Sequence, residues 1–361
     1  MARIAIAGAG VLGRLLAWRL SRDGHAVSVF DPAPGPQPPA IGQLVPGAPH
    51  AAGFTAAGML SPLAELDNAD ASIARLGWRS LALWRRLAAT LNRHTATPLL
   101  RLNDSLLLAH GTDRGAAQRV LSRLDALPEA PRAEALNTAQ LNALEPALAS
   151  GLLGWRLPGE GQVLPRELLH TLATFAPGVK WHWGQHVASV APGQLVDERG
   201  GTHRVDLAID ARGLGARSEL ALRGVRGEVV WLHAPGVPLA RPIRLLHPRH
   251  RVYLVPRPGG RIVVGASEIE SEDRSPPSLR SVVELLSAAH SVLPELAEAR
   301  IEHMESNLRP ARMDNAPVIA YEPGLLRVNG LFRHGWLIAP ALVDDAMAAA
   351  QLTSPMETSH V

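Results

Sequence analysis

The sequence predicts an α/β layer joined to an α+β layer, and three observations carry that prediction. Residues 3–30 read as strand, glycine-rich turn, helix and strand; the later strands include two, 251–256 and 261–266, joined by PRPGG as a hairpin; and 361 residues are too many for one core.

In chain order, Arg3 to Gly8 alternates as a short buried strand, Val11 to Arg22 carries helical periodicity, and Ala26 to Phe30 is a second strand. Residues 32–50 hold too many prolines and glycines for either regular element and read as an extended connector. AAGFTAAGMLSP follows at 51–62, unusually bare of polar side chains for a loop. Ile73, Leu76, Leu81, Trp84, Leu87 and Leu91 fall at helical spacings and predict a long helix over 71–93. Leu99 to Leu108 reads as a strand, with helices near 112–126 and 138–144 and a short one after Pro165. Further strands are expected at 186–190, 205–210, 226–233, 300–307 and 325–328, and helices from Pro277 to Leu293 and from Ala341 to Gln351. No internal repeat is visible.

Composition narrows the function classes. The net charge is +3, the arginines are scattered with a single lysine, Lys180, and no basic run carries interleaved aromatics, so a nucleic-acid groove is not expected. The absence of cysteine excludes disulfides, thiolate metal sites and cofactors tethered through sulfur, and fits a cytoplasmic protein. The apolar N-terminus has glycines spaced for another purpose than a signal peptide, and no uninterrupted apolar stretch is long enough for a membrane span.

Gly8, Gly10 and Gly13 fit G-x-G-x-x-G between the first strand and first helix, the context in which the motif binds a dinucleotide. Gly8 permits the tight turn, Gly10 lets the backbone approach a pyrophosphate, and Gly13 lets helix and strand close up. Asp31, at the end of the second strand, is placed to accept from ribose hydroxyls. The fingerprint alone does not choose between NAD and FAD.

Five further segments decide. The stretches GAGVLGRLLAWRLSRDGHAVSVFD, FTAAGMLSP, GEGQVLPRELLHTL, VYLVPRPGGRIVVGASE, and NLRPARMDNAPVI followed by GLFRHGWLIAP resemble the FAD-dependent D-amino-acid oxidase family, and within it the glycine oxidases of thiamine biosynthesis, along nearly the whole chain. The resemblance implies a Rossmann-like FAD-binding domain assembled from 1–84, 151–222 and 307–361, and an antiparallel-sheet substrate domain from 85–150 and 223–306. It places the bare strip, Thr55, Ala56, Ala57, Gly58 and Met59, along the flavin ring, where small side chains give main-chain N–H groups access to its polar edges. Val187 and Gly213 are expected on the cofactor, as are His334, Gly335, Trp336, Leu337 and Ile338, which lead into a final helix whose dipole faces the ring. Thr55 stands where related flavoproteins carry a covalently linked histidine, so the FAD is expected to be non-covalent; His50 is not expected to be a flavin ligand.

Oxidising an amino acid requires its carboxylate held and its Cα hydrogen aimed, and arginine grips a carboxylate bidentately at any working pH. By resemblance Arg309 is that arginine, Tyr253 donates to the same carboxylate, and Arg333 lies beside flavin and substrate entrance. Arg312 lacks the motif support. Two departures stand out: His334 replaces the usual asparagine, and Val343 a glycine at the start of the last helix. Asp344 and Asp345 are expected to cap that helix, and Glu268 to be a solvated strand-end carboxylate unless it faces the pocket, where it would pair with a substrate ammonium. No metal site is expected: His182 and His186, and His247 and His250, are not spaced as ligand sets.

The expected reaction is oxidative deamination of glycine or another small amino acid to the imino acid, with hydride passing to flavin and oxygen returning it to the oxidised form with release of hydrogen peroxide. A D-amino-acid or N-methyl-amine dehydrogenase using another electron acceptor, and a flavin-bearing accessory protein, are the alternatives. A homo-oligomer is left open.

Overall fold

The computed structural model describes residues 1–40, 50–66, 70–127, 130–246 and 251–352, the side chain of Arg251 excepted. A six-stranded sheet runs β19-β20-β13-β1-β2-β9. Its members are β1 (Arg3–Ala7), β2 (Ala26–Asp31), β9 (Lys180–Trp183), β13 (Leu207–Asp210), β19 (Val318–Glu322) and β20 (Leu325–Asn329). All neighbours are parallel except β19 and β20.

Strand residues alternate between faces, so β1 serves two cores. Ile4 and Ile6 join the cluster formed with α1 (Val11–Arg22), α3 (Ala71–Leu91), α6 (Pro165–Thr174) and α9 (Gly335–Ala349). Ala5 and Ala7 face a smaller cluster with Phe30, Val190 and Leu195, the last two from a three-stranded sheet of β10 (Val187–Ala191), β11 (Gln194–Asp197) and β12 (Thr202–Arg204).

The second body is an eight-stranded sheet, β18-β14-β17-β16-β15-β5-β7-β6. It collects β5 (Ser105–Ala109), β6 (Glu134–Leu136), β7 (Leu153–Leu157), β14 (Arg223–His233), β15 (Ile243–Leu246), β16 (Arg251–Arg257), β17 (Arg261–Gly265) and β18 (Arg300–Ala311). Pairing is antiparallel except between β15 and β5. On one face Leu106, Val230, Leu254 and Val264 pack on Leu285 of α8 (Leu279–Val292) and Leu141 of α5 (Thr138–Leu144). On the other, Leu107 and Ala109 pack on α4 (Arg114–Asp125), while Val229, Trp231, Val255 and Val263 meet Ala57. The strip that carries Ala57 continues into β3 (Met59–Leu60), which pairs with β8 (Gly161–Val163) and through it with β4 (Leu100–Arg101). Short helices α2 (Pro62–Glu65) and α7 (Arg217–Leu220) complete the elements.

Several expectations need correction. The run from Leu99 to Leu108 is broken into β4 and β5, with Asp104 between them at φ 68°. Strands β7 and β9 were not expected; β7 joins the eight-stranded sheet although 151–222 was assigned to the cofactor domain. The division at 306/307 cuts through β18, and the one at 84 cuts through α3, whose Leu87 and Leu91 remain in the cofactor-side core.

The largest difference is at the last helix, which begins at Gly335 rather than Ala341. Pro340 sits inside it and cannot donate to the carbonyl of Trp336, normally a helix-breaking defect. Here the Trp84 indole N–H from α3 donates to that carbonyl at 2.9 Å, so the freed acceptor is satisfied across 252 residues of chain. Consequently Val343 lies mid-helix and buried rather than at the helix start. Asp344 and Asp345 do not cap; they pair with Arg19 and Arg79.

Candidate active site

A cleft of about 1370 Å³ runs between the two bodies, from Gly8, Gly10 and Asp31 at one end to Tyr253, Arg309 and Arg333 at the other. Thr55, Ala56, Ala57, Gly58, Met59, Val187, Gly213, His334, Gly335, Trp336 and Leu337 also line it, so most of the expected cofactor residues share one cavity. Gly13 lies outside the lining: a Cβ there would fall 1.8 Å from the Gly8 carbonyl oxygen, so its part is the helix–strand approach. Ile338 departs from expectation. It is fully buried in the core behind the cleft, its amide making the helix's first bond, to the His334 carbonyl at 3.0 Å.

The dinucleotide end is made of backbone. Gly8 has φ +97°, and a Cβ there would meet the Ala211 carbonyl oxygen at 2.6 Å. At Gly10, the N-cap of α1, no side chain caps the helix and no acidic residue sits in its first turn, so the amides of that turn are left for an anion. Asp31 accepts from the amides of Ala9 (2.5 Å) and Ala33 (2.8 Å), which holds it across the phosphate turn with a lone pair on each oxygen still to be used. Burial raises its pKa, partly offset by those two amides, Arg14 and His186.

Arg14 was not anticipated. It extends from α1 through the core, donating to the carbonyls of Ala9 (2.7 Å), Leu169 (2.6 Å) and Pro36 (3.1 Å), and thereby braces the turn. Burial pulls its pKa down to about 10, against the field of Asp31. The sequence signal was an arginine set between the apolar residues Leu12, Leu15 and Leu16 of the first helix.

Along the middle of the cleft, the Ala57 carbonyl accepts from Arg257, and the Thr55 hydroxyl accepts from Asn307 at 3.1 Å. The amides of Gly335, Trp336 and Leu337 precede the first helical bond of α9, and these three residues line the cleft. The dipole expected of this helix is therefore present, moved six residues upstream. His50 lines the cleft beside the Ala51–Gly53 backbone, and burial lowers its pKa.

The inner end is made of charge. Arg309 on β18 donates to the carbonyls of Arg226 (3.2 Å) and Ser267 (3.0 Å). Burial lowers its pKa, partly offset by Tyr253, Glu268 and Glu65. Its guanidinium lies across Gly227, where a Cβ would meet Nη2 at 2.3 Å; the Tyr253 hydroxyl lies over Gly265 in the same way, at 2.6 Å. These two glycines are in strands that pair with the strands carrying Arg309 and Tyr253, and sequence reasoning missed them. Burial raises the Tyr253 pKa, so its phenol stays protonated and able to donate.

Glu65, at the end of α2, was also missed. Its Oε2 lies 3.0 Å from Arg333 Nη2 and 3.0 Å from His334 Nδ1. Burial would raise its pKa, but Arg333, His334 and Arg244 together hold it far below the usual carboxylate range. Arg333 also donates to Glu268 Oε2 at 3.1 Å, so Glu268 faces the cleft and is tethered there. Arg312, by contrast, pairs with Asp314 at 3.3 Å and does not line the cleft.

Beneath the inner end, Glu160 is fully buried and accepts from the Ser61 and Ser105 hydroxyls and, at 2.7 Å, from the Leu63 amide, fixing the start of α2. Burial raises its pKa to about 7, offset in part by those three donors.

Of the histidines, His182 stacks on Phe30, His186 lines the cleft, and His247 and His250 lie outside the described residues. Among the described residues no group of three or more His, Asp or Glu is arranged to hold a metal. No described helix is long and apolar enough to cross a membrane.

Comparison with known proteins bears on the same cleft. A protein of Rhizobium etli that carries the name thiamine biosynthesis oxidoreductase ThiO is 36% identical over 347 residues, covering 95% of this chain and 94% of that one. The glycine oxidase of Geobacillus kaustophilus is 27% identical over 99% of this chain and 94% of its own; its crystal structure superposes with a TM-score of 0.79, covering 100% of both chains. The Bacillus cereus glycine oxidase structure, 23% identical and covering 100% of both chains, shares the fold at a TM-score of 0.82. The family model described as DAO, FAD dependent oxidoreductase, matches residues 3–348, and the chain belongs to that family of flavoenzymes.

Proposed function

We propose that the chain oxidises glycine or another small amino acid to the corresponding imino acid, as a glycine oxidase of thiamine biosynthesis. The observation that carries the reading is the pairing of Arg309 and Tyr253 at the inner end of the cleft. Arg309 is a half-buried guanidinium whose hydrogen bonds among the described residues go to two carbonyls, so its charge is open to an anionic ligand, and the protonated Tyr253 hydroxyl lines the same space.

The residues present fit FAD. Gly8 and Gly10, with the uncapped first turn of α1, would hold the pyrophosphate; Asp31 the ribose; Val187 and Gly213 the adenosine side; the strip 55–59 and the amides of Gly335 to Leu337 the ring. Bound there, FAD supplies the acceptor for the hydride lost from the substrate Cα, the amine proton leaving to solvent. The protein's own work is positional: Arg309 and Tyr253 fix the carboxylate, the strip contributes shape without side-chain bulk, and the two protein bodies exclude water from the space between them. With a neutral amine no general base is required. Oxygen as the terminal acceptor, with peroxide as the second product, belongs to this proposal.

Anaerobic addition of glycine, sarcosine or D-alanine to the yellow protein should bleach the band near about 450 nm. Readmitted oxygen should restore it faster than an artificial acceptor does. A yellow protein that none of these amines bleaches overturns the reading, and recovery only with the artificial acceptor replaces an oxidase by a dehydrogenase.

A further inference from the structure

Arg309 and Arg333 both line the inner end of the cleft, yet they stand in opposite electrostatic situations. Arg309 has no carboxylate within ion-pair distance among the described residues, and only two of its five N–H donors are used, on the Arg226 and Ser267 carbonyls. Arg333 is held by two carboxylates: Glu65 Oε2 at 3.0 Å and Glu268 Oε2 at 3.1 Å. The arrangement is compact, because the carbonyl that holds Arg309 belongs to Ser267, the residue immediately before Glu268.

The two carboxylates differ in access. The Glu65 side chain is 14% exposed and shared with His334, whereas that of Glu268 is 44% exposed and lines the cleft. A ligand anchored through one carboxylate at Arg309 therefore has the Glu268 anion as a neighbour. A second carboxylate on such a ligand finds the Arg333 charge already offset by Glu65 and Glu268, whose carboxylates take its Nε and Nη1 donors, and meets the like charge of Glu268. Repulsion of that kind discriminates among ligands without weakening the wanted one.

We infer that Glu268, tethered by Arg333, is the specificity-determining residue of this site: it admits amino acids with one carboxylate and rejects those bearing a second, whether as an N-carboxymethyl group or as an acidic side chain. The inference rests on the assignment of Arg309 as the carboxylate anchor. It refines that assignment by giving Arg333, beside the substrate entrance, the part of holding Glu268 in place.

The test uses the FAD-bound protein and two ligands that differ by one carboxylate and cannot be oxidised at an amine, methoxyacetate and 2,2′-oxydiacetate. Each is titrated while the flavin absorbance is followed. The wild type should bind methoxyacetate at least about tenfold more tightly than oxydiacetate, the scale of one like-charge contact. E268Q and E268A should narrow that ratio by at least about tenfold, through tighter oxydiacetate binding, and E268D should restore most of it. In E268Q/R333Q the gain for oxydiacetate should disappear, since the released guanidinium is what the second carboxylate would use. Sarcosine and iminodiacetate, related in the same way, should show the same change in kcat/KM. Equal binding of the two ligands by the wild type, or a ratio unaltered in both E268Q and E268A, overturns the inference. Because the titrations need no turnover, failure of the oxidation reading appears separately, as an absence of bleaching by any amine.

Discussion

The two ends of the cleft are built by opposite means. At the dinucleotide end the working groups are main-chain amides, and the residues that matter, Gly8 and Gly13, do so by lacking side chains. At the inner end the working groups are half-buried ionised side chains, Arg309, Arg333 and Glu65, each brought in from a different part of the chain. A backbone site tolerates almost no added atom, because a carbonyl cannot move aside. A charged site tolerates changes of shape but not loss of a partner, because an uncompensated buried charge is costly.

The sharpest test of the first half of this contrast is Gly13→Ala. The new methyl would lie 1.8 Å from the Gly8 carbonyl oxygen, so α1 must move off the sheet. The expected loss is about 3 kcal/mol or more, with FAD no longer retained on gel filtration. Retention of stoichiometric FAD by this variant would break the comparison.

Glu65→Gln tests the second half. It leaves Arg333 and His334 without their shared anion and should cost about 3 kcal/mol near neutral pH, measured by denaturant unfolding. The pH dependence carries a sign. The folded-state pKa of Glu65 lies well below its ordinary value, so the stability it contributes is fully present above about pH 4.3 and fades progressively as the pH falls from there towards the lower folded value. The deficit of the variant should therefore shrink in acid. A deficit that stays constant from neutral pH to pH 3 would contradict the ion-pair account.

Glu160 works in the reverse direction and in another window. Its folded pKa, about 7, is above the ordinary carboxylate value, so the stability it contributes is full below about pH 4.3 and is lost as the pH rises to about 7, by at most about 1.4 kcal/mol per pH unit. Glu160→Gln should flatten the profile of Tm against pH across that interval. An unchanged profile would show that Glu160 is ionised throughout.

The smallest expected effect is at Trp84→Phe, which removes the donor to the Trp336 carbonyl and should cost about 1–2 kcal/mol, read as a lowered Tm. Flavin absorption should shift with it, since the first turn of α9 lines the cleft. A variant as stable as wild type would mean that the carbonyl freed by Pro340 needs no partner.

The same contrast explains what could be read in advance. The G-x-G-x-x-G turn and α1 were legible because backbone geometry leaves glycine little competition at those positions, and the strip at 55–59 was legible as a departure from ordinary loop chemistry. The beginning of α9 was not: Pro340 reads locally as a helix break, and the indole that cancels the break comes from α3. Gly227 and Gly265 carry no local signal, because the guanidinium and phenol that lie over them arrive from other strands, and Glu65 carries none because its partners Arg333 and His334 lie far along the chain. Strand β9 carries Trp181, His182 and Trp183, whose bulk suits a sheet edge, but four residues are too few for a period to emerge.

The central claim is that a single unpaired guanidinium anchors the substrate carboxylate. Anaerobic stopped-flow reduction of the FAD-bound protein by glycine, in the wild type and in Arg309→Leu, addresses it directly. The account predicts that kcat/KM for reduction falls about a thousandfold in the variant while FAD stays bound, with most of the loss in apparent glycine affinity. Reduction within about threefold of wild type at sub-saturating glycine would contradict it.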